Sequence, residues 1–211
     1  SVSQRQDVKM EALRKIVLDE KSKGNRSIVY SYYTGDPINN YLKDKLEAVG
    51  LKVTVLNKEG EKSISCSGQT VAVKKADRHI FIQDEVALGT DVLIVSPELI
   101  KTGTNLIDFN AIVYYQMTYK VYTIRQASGR IRRIGQTKDC KIYFLYYAES
   151  FQEDIASLMA TKIVASEAIE GNMDSSGLEA ITNERTPEEE LANKFYQHMG
   201  LDKKDKSATL I

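Results

Sequence analysis

Residues Gln126 to Gln136, QASGRIRRIGQ, carry the side chains of this sequence best suited to chemistry. Read as a helix at about 100° per residue, Gln126, Arg130 and Arg133 share one narrow stripe, and Ala127, Ile131 and Ile134 share another about 100° round from it. The second stripe can pack while the first presents two guanidiniums, with Arg132 pointing elsewhere. Arginine stays charged and offers a forked set of donors. Two of them on a rigid element therefore suit stabilisation of the charge that develops on a transferring phosphoryl group. The same spacing also suits a solvated basic face, or a patch that grips phosphate backbone without catalysis.

The elements that must position this segment follow from periodicity. Met10, Leu13, Ile16, Val17 and Glu20 recur at helical spacing and stop before Gly24, which predicts a first helix. SIVYSYY, Ser27 to Tyr33, is a β-branched and aromatic run too short for a helix and is followed by the turn signal TGDP, so it reads as a buried strand. Ile38, Leu42, Leu46 and Val49 mark a helix that ends at Gly50, and KVTVL returns as a strand. Residues 57–69 are polar and read as an exposed loop with one short extended piece at Ser63 to Cys66. Ala76 to Ala87 reads as helix. DVLIV (Asp91–Val95), AIVYY (Ala111–Tyr115) and KIYFLYY (Lys141–Tyr147) are continuous apolar runs of the kind a parallel sheet covered on both faces requires. Strands alternating with helices predict an α/β doubly wound domain with its ligands at the carboxyl ends of the strands.

The predicted domain covers residues 1–150. Residues 151–211 are expected to form a helical extension, with Phe151, Ile155, Leu158, Met159 and Ile163 on one amphipathic helix. A linker is expected around 171–185, and a last helix opens at Thr186-Pro187. Charge is sorted along the chain although it sums to zero. Lys120, Arg125, Arg130, Arg132, Arg133, Lys138 and Lys141 face only Asp139 in one stretch, and the stretch after Glu149 is acidic. Cys66 and Cys140 lie far apart, without CxxC spacing or clustered histidines, so neither a zinc site nor a disulfide framework is predicted. No apolar run reaches the roughly 20 residues of a membrane span, and SVSQRQDVK has no signal-peptide pattern. A reducing, intracellular compartment is the expectation. His79 and His198 are isolated and read as ordinary histidines. Tyr30, Tyr32, Tyr114, Tyr143 and Tyr146 fall in strand runs, where packing accounts for them.

On these residues the chain resembles the C-terminal RecA-like domain of superfamily 2 helicases and translocases of the Swi/Snf branch. QASGRIRRIGQ is similar to their motif VI, in which GRxxR supplies arginine fingers. DVLIVSPELIKTGTNL, Asp91 to Leu106, is similar to motif V, and SIVYSYY to motif IV. SFQEDIASLMATKIVASEAIEG resembles the helix that follows motif VI in that branch. The likeness covers roughly residues 27–171. The chain departs from it at Glu98, Ile100 and Lys101, where the branch has an arginine and a glycine pair, and at Gly129, where many chromatin-remodelling relatives carry Asp. The tryptophan-containing segment before motif VI is replaced by MTYKVYT. The resemblance implies that Arg130 and Arg133 reach a γ-phosphate across an interdomain cleft and that Gln126 assists nucleotide coupling. It further implies that Gly103 and Asn105 approach the nucleotide, and that Ser96, Lys101, Thr102 and Thr104 lie near the nucleic-acid backbone. For Thr102 and Thr104 a plain turn role accounts equally well for the residue type.

Neither a GxxxxGK[ST] phosphate loop nor a strand ending in a DExx pair occurs in the sequence, and an NTPase of this kind needs both. The expectation is therefore that ATP and Mg2+ are held mainly by an N-terminal RecA-like domain outside this stretch of chain, and that this chain alone does not hydrolyse ATP. The expected partners are nucleic acid, with duplex DNA preferred, and that N-terminal domain. The expected setting is a bacterial or phage host cytoplasm. No metal site is predicted within the chain. A second reading, from a different class, is a non-catalytic RecA-like module that binds nucleic acid or a protein through its basic helix. A Rossmann enzyme is disfavoured because no GxGxxG follows any strand.

Overall fold

The computed structural model describes residues 2–32, 37–100, 106–116, 131, 136–147 and 153–156, with side chains from residue 8 onward. The chain divides into two compact units: Ser1–Met117 with Tyr122–Leu145, and Thr118–Val121 with Tyr146–Ile211.

The first unit is a RecA-like α/β domain. Its described helices are α1 (Val2–Ser22), α2 (Pro37–Glu47) and α3 (Arg78–Ala87). Its described strands are β1 (Ser27–Tyr30), β2 (Val53–Leu56), β3 (Lys62–Ile64), β4 (Thr70–Ala72), β5 (Val92–Val95), β6 (Ala111–Tyr114) and β7 (Lys141–Phe144). They form one sheet in the order β4-β3-β2-β5-β1-β6-β7. β2, β5, β1, β6 and β7 run parallel, and β3 and β4 are antiparallel additions at the β2 side. Every residue of β1, β2, β5 and β6 is buried, as strands covered on both faces must be.

Alternation along the strands sorts the two faces. Val29, Val53, Val55, Val92, Ile94 and Val113 form one core cluster with Met10, Leu13 and Val17 of α1 and Leu42 and Leu46 of α2. Each of these side chains, fully buried, contributes about 1.5–3 kcal/mol relative to exposure. Tyr30, Tyr114 and Phe144 point the other way. They lie in register across β1, β6 and β7, with ring centroids 5.0 Å apart in each neighbouring pair. α3 covers that second face, where its Glu85 accepts a hydrogen bond from Thr54 of β2.

The helix ends follow from glycine chemistry. α1 closes with Gly24 at φ 74°, where the amides of Gly24 and Asn25 return to the carbonyls of Lys21 and Glu20 at 2.9 Å each. α2 ends in the same way at Gly50, φ 82°, and Leu51 folds back onto the core beside Leu46. In this capping motif the left-handed residue satisfies the last carbonyls and turns the chain directly into the next strand.

Most sequence expectations hold within two or three residues. The exception is the expected loop at 57–69. There β3 and β4 form a hairpin, with Gly68 N–H donating to Ser65 O at 2.9 Å in the turn. Each strand is only three residues long and β4 is exposed throughout, so no apolar alternation marks it. Tyr30 and Tyr114 are packed as expected, whereas Tyr146 is 43% exposed because β7 ends at Phe144. Of the second unit, residues 153–156 are helical and Ala156 is buried. The expected linker at 171–185 and the helix opening at Thr186 lie outside the described residues. Among the described residues no helix is long and apolar enough to cross a membrane.

Candidate functional site

The strand order fixes where a ligand can sit. After β1 the chain moves through α2 to β2, and after β5 it crosses β1 to reach β6, on the other side. The connections leaving β1 and β5 thus diverge from neighbouring strands, which creates the crevice at the carboxyl ends where doubly wound sheets bind ligands. Ser96 is the residue that leaves β5 at this point. It is 2% exposed, and its carbonyl accepts the Leu99 N–H at 3.0 Å to open a 3-10 turn over Pro97–Ile100. Lys101, Thr102, Gly103, Thr104 and Asn105 lie outside the described residues. Both flanks of that segment are anchored, since Ile100 and Leu106 are each 0% exposed.

Sequence reasoning missed what holds the turn. Arg78, the first residue of α3, is buried and its Nη1 donates to Leu99 O at 2.9 Å, while its Nε has no hydrogen-bond partner among the described residues. No local pattern announces this pairing, which joins residues 21 apart. His79 beside it is exposed, and its Nδ1 lies 3.1 Å from Ala76 O, as suits an ordinary surface histidine.

The segment rich in arginine joins β6 to β7. Gln126, Arg130 and Arg133 lie outside the described residues, but Ile131, between the two arginines, is 0% exposed, as the predicted packing stripe requires. A glutamine stands at each end of the segment. Gln116, at the exit of β6, accepts at Oε1 from Ser31 Oγ (3.2 Å) and from Tyr32 N–H (2.8 Å), tying the carboxyl ends of β1 and β6. Gln136 donates from Nε2 to Ile107 O (2.8 Å), Ile131 O (3.0 Å) and Phe109 O (3.3 Å), and accepts at Oε1 from Asn110 Nδ2 (3.2 Å) and Lys138 N–H (3.1 Å). At the exit of β6 the Lys9 ammonium lies 5.1 Å from the Tyr115 ring centroid, and burial lowers it to about 8, so it is mainly protonated near neutral pH.

The opposite edge carries two buried carboxylates. Glu20 accepts from Tyr143 Oη (2.6 Å), Asn25 Nδ2 (2.7 Å) and Lys141 Nζ (3.1 Å). Burial pushes this carboxyl up, but those donors outweigh it and hold it below the usual range, while burial and the carboxylate push the Tyr143 phenol up. Glu85 accepts from Thr54 Oγ1 (2.6 Å) and from the Cys66 N–H (2.7 Å); burial pushes its carboxyl up, but hydrogen bonding from Ser65, Thr54 and Cys66 outweighs this and holds it below the usual range. Cys66 is a free thiol raised by burial and by Glu85, which makes it a poor nucleophile. Both carboxylates are committed to neighbouring elements and serve as struts.

Comparison with known proteins places these features. The family described as helicase conserved C-terminal domain matches residues 8–135. ATP-dependent helicase fft3 of Schizosaccharomyces pombe is 22% identical over 167 residues, covering 79% of this chain and 17% of that protein. The SWI/SNF-related matrix-associated actin-dependent regulator of chromatin subfamily A containing DEAD/H box 1 of Xenopus tropicalis is 24% identical over 157 residues, covering 74% of this chain and 14% of that protein. A crystal structure of the C-terminal part of the Fun30 ATPase domain has the same fold, with a TM-score of 0.58 and 24% identity, covering 72% of this chain and 44% of that one. The chain therefore spans less than a fifth of the length of either of these two helicase relatives.

Proposed function

Because this chain belongs to the helicase conserved C-terminal domain family, in its SWI/SNF-type branch, we propose that it is the C-terminal motor domain of an ATP-dependent DNA helicase or translocase. Arg130 and Arg133 act as the arginine fingers on the γ-phosphate, and Gln126, Gly103 and Asn105 approach the nucleotide. Lys101, Thr102 and Thr104, on the segment that Ser96 begins, follow the backbone of duplex DNA, positioning it without reading its bases. The donor set fits such a role: two guanidiniums are suited to a transferring phosphoryl group, and the 101–105 segment is rooted at the switch point between β1 and β5.

ATP and Mg2+ are assigned to an N-terminal RecA-like domain of a longer chain, since this sequence has no phosphate loop. When bound, ATP would supply the phosphoryl group transferred to water, with the two domains closing on ATP and opening on product release. Residues 1–150 then form the motor domain and residues 151–211 a helical extension, and the piece alone is inactive. The yeast and frog relatives are eukaryotic and lend no support to a bacterial or phage cytoplasm.

The observation that carries this reading is GRIRR lying in the β6–β7 connection of a RecA-like sheet. Arg130→Ala and Arg133→Ala in the full-length protein test it. DNA-stimulated ATP hydrolysis should fall by about 10³-fold or more with little change in DNA affinity. DNA binding weakened and less salt-dependent, in a protein with no ATP hydrolysis to lose, would instead identify a non-catalytic binding module.

A further inference from the structure

We propose that Gln136 is a positioning residue for the arginine pair, fastening the backbone between Arg130 and Arg133 to the segment that leaves the 101–105 loop. The inference rests on the ATPase reading above and adds a residue to it. An amide side chain has two N–H donors and one oxygen with two lone pairs, and Gln136 uses all of them, one N–H being shared between two of its three carbonyl acceptors. Its nitrogen reaches Ile107 O at 2.8 Å and Phe109 O at 3.3 Å, on the stretch just past Leu106. The same nitrogen reaches Ile131 O at 3.0 Å, inside GRIRR. Its oxygen accepts from Asn110 and from the Lys138 amide at the entry to β7.

One side chain thus joins the downstream ends of both functional segments. Ile131, 0% exposed, is held from two sides, by packing and by this bond. A displacement of residues 106–110 is carried to the carbonyl that stands one residue after Arg130 and two before Arg133. No other residue type reproduces the set. Asparagine is a methylene too short, and glutamate would set a carboxylate against three carbonyl oxygens.

The test is single-turnover ATP hydrolysis by the full-length protein bearing Gln136→Ala, alone and combined with Arg133→Ala. The expected result is a fall in kcat of about 10- to 100-fold at nearly constant KM, as for a catalytic group displaced by about an ångström. On the Arg133→Ala background the same change should add almost nothing, because its effect runs through the arginines. Unchanged kcat, or losses that multiply in the double variant, would overturn the proposal. Should Gln136→Ala fail to fold, Asn110→Ala removes one of the bonds to the amide; a loss of about threefold, again absent with Arg133→Ala, is expected. A multiplying or null effect there overturns it equally. Full activity in both Arg130→Ala and Arg133→Ala marks a different failure, that of the ATPase reading itself.

Discussion

The two edges of the parallel sheet are built differently. At the amino-terminal edge, side chains bind element to element. Asp91 Oδ2 accepts from Lys21 Nζ and from the Lys52 N–H at 2.8 Å each. Lys138 Nζ donates to Gly24 O at 2.8 Å, and Glu20 draws α1 onto β7 through Lys141 and Tyr143. Gln136 adds its bonds in the same region. At the carboxyl edge Gln116 ties the exit of β1, Arg78 holds Leu99, and the Asn57 amide N–H donates to Ser63 Oγ at 2.9 Å. From this edge the chain leaves into the segments that carry the motifs. The first edge is a frame whose ties join element to element, and the second holds the roots of loops that can be shaped to ligands.

That contrast makes predictions about stability. The largest effect should come from Glu20→Ala, which leaves the Tyr143 hydroxyl, the Asn25 amide and the Lys141 ammonium without their shared acceptor. A loss of about 2–3 kcal/mol in urea unfolding of this domain is expected, with the amides of β7 exchanging faster. A loss below about 1 kcal/mol would remove the basis for calling this edge a frame.

Glu85→Gln should cost about 1–2 kcal/mol near pH 7 and raise hydrogen exchange at the Cys66 amide, which donates to Glu85. Its folded pKa lies below the ordinary 4.5, so its stabilisation is present above that value and lost as pH falls below it. The gap between the two proteins should therefore close in acid. A gap constant from pH 7 to pH 3 would show that the ionised carboxylate is not what holds the hairpin.

The smallest effect is expected at the other edge. Gln116→Ala removes two part-buried hydrogen bonds that water can partly replace, so about 1 kcal/mol or less should be lost. A cost equal to that of Glu20→Ala would abolish the difference between the edges.

What the sequence made legible follows the range of the interactions. β1, β2, β5 and β6 were read because burial on both faces forces three or four apolar, aromatic or β-branched residues in a row. The helix ends at Gly24 and Gly50 were read because a left-handed backbone selects glycine locally. The β3–β4 hairpin was not legible, because its support is polar and distant: Ser63 is fully buried against the Asn57 amide, and Cys66 leans on Glu85, 19 residues on. Arg78 and Gln136 escaped for the same reason, since their partners are carbonyls up to 29 residues away that any sequence would offer. Gln136 left one trace, as the closing residue of RIGQ. In the candidate site, Ile131 is buried as its place on the expected packing stripe requires, while Ala127 and Ile134 of that stripe lie outside the described residues.

The position of β1 has a consequence for how the polypeptide is made. Its neighbours are β5 and β6, so Val29 pairs with Ile94 and with Val113. β1 and β2 never touch as strands, because β5 stands between them. A ribosome that has released only the first half of this domain has therefore exposed β1 with no strand partner, while β2 has only the short β3–β4 hairpin beside it. The nascent segment must wait for residues 92–95 to emerge before β1 can join β2 in one parallel sheet, and until then β1 is the exposed apolar strand a holding chaperone would meet.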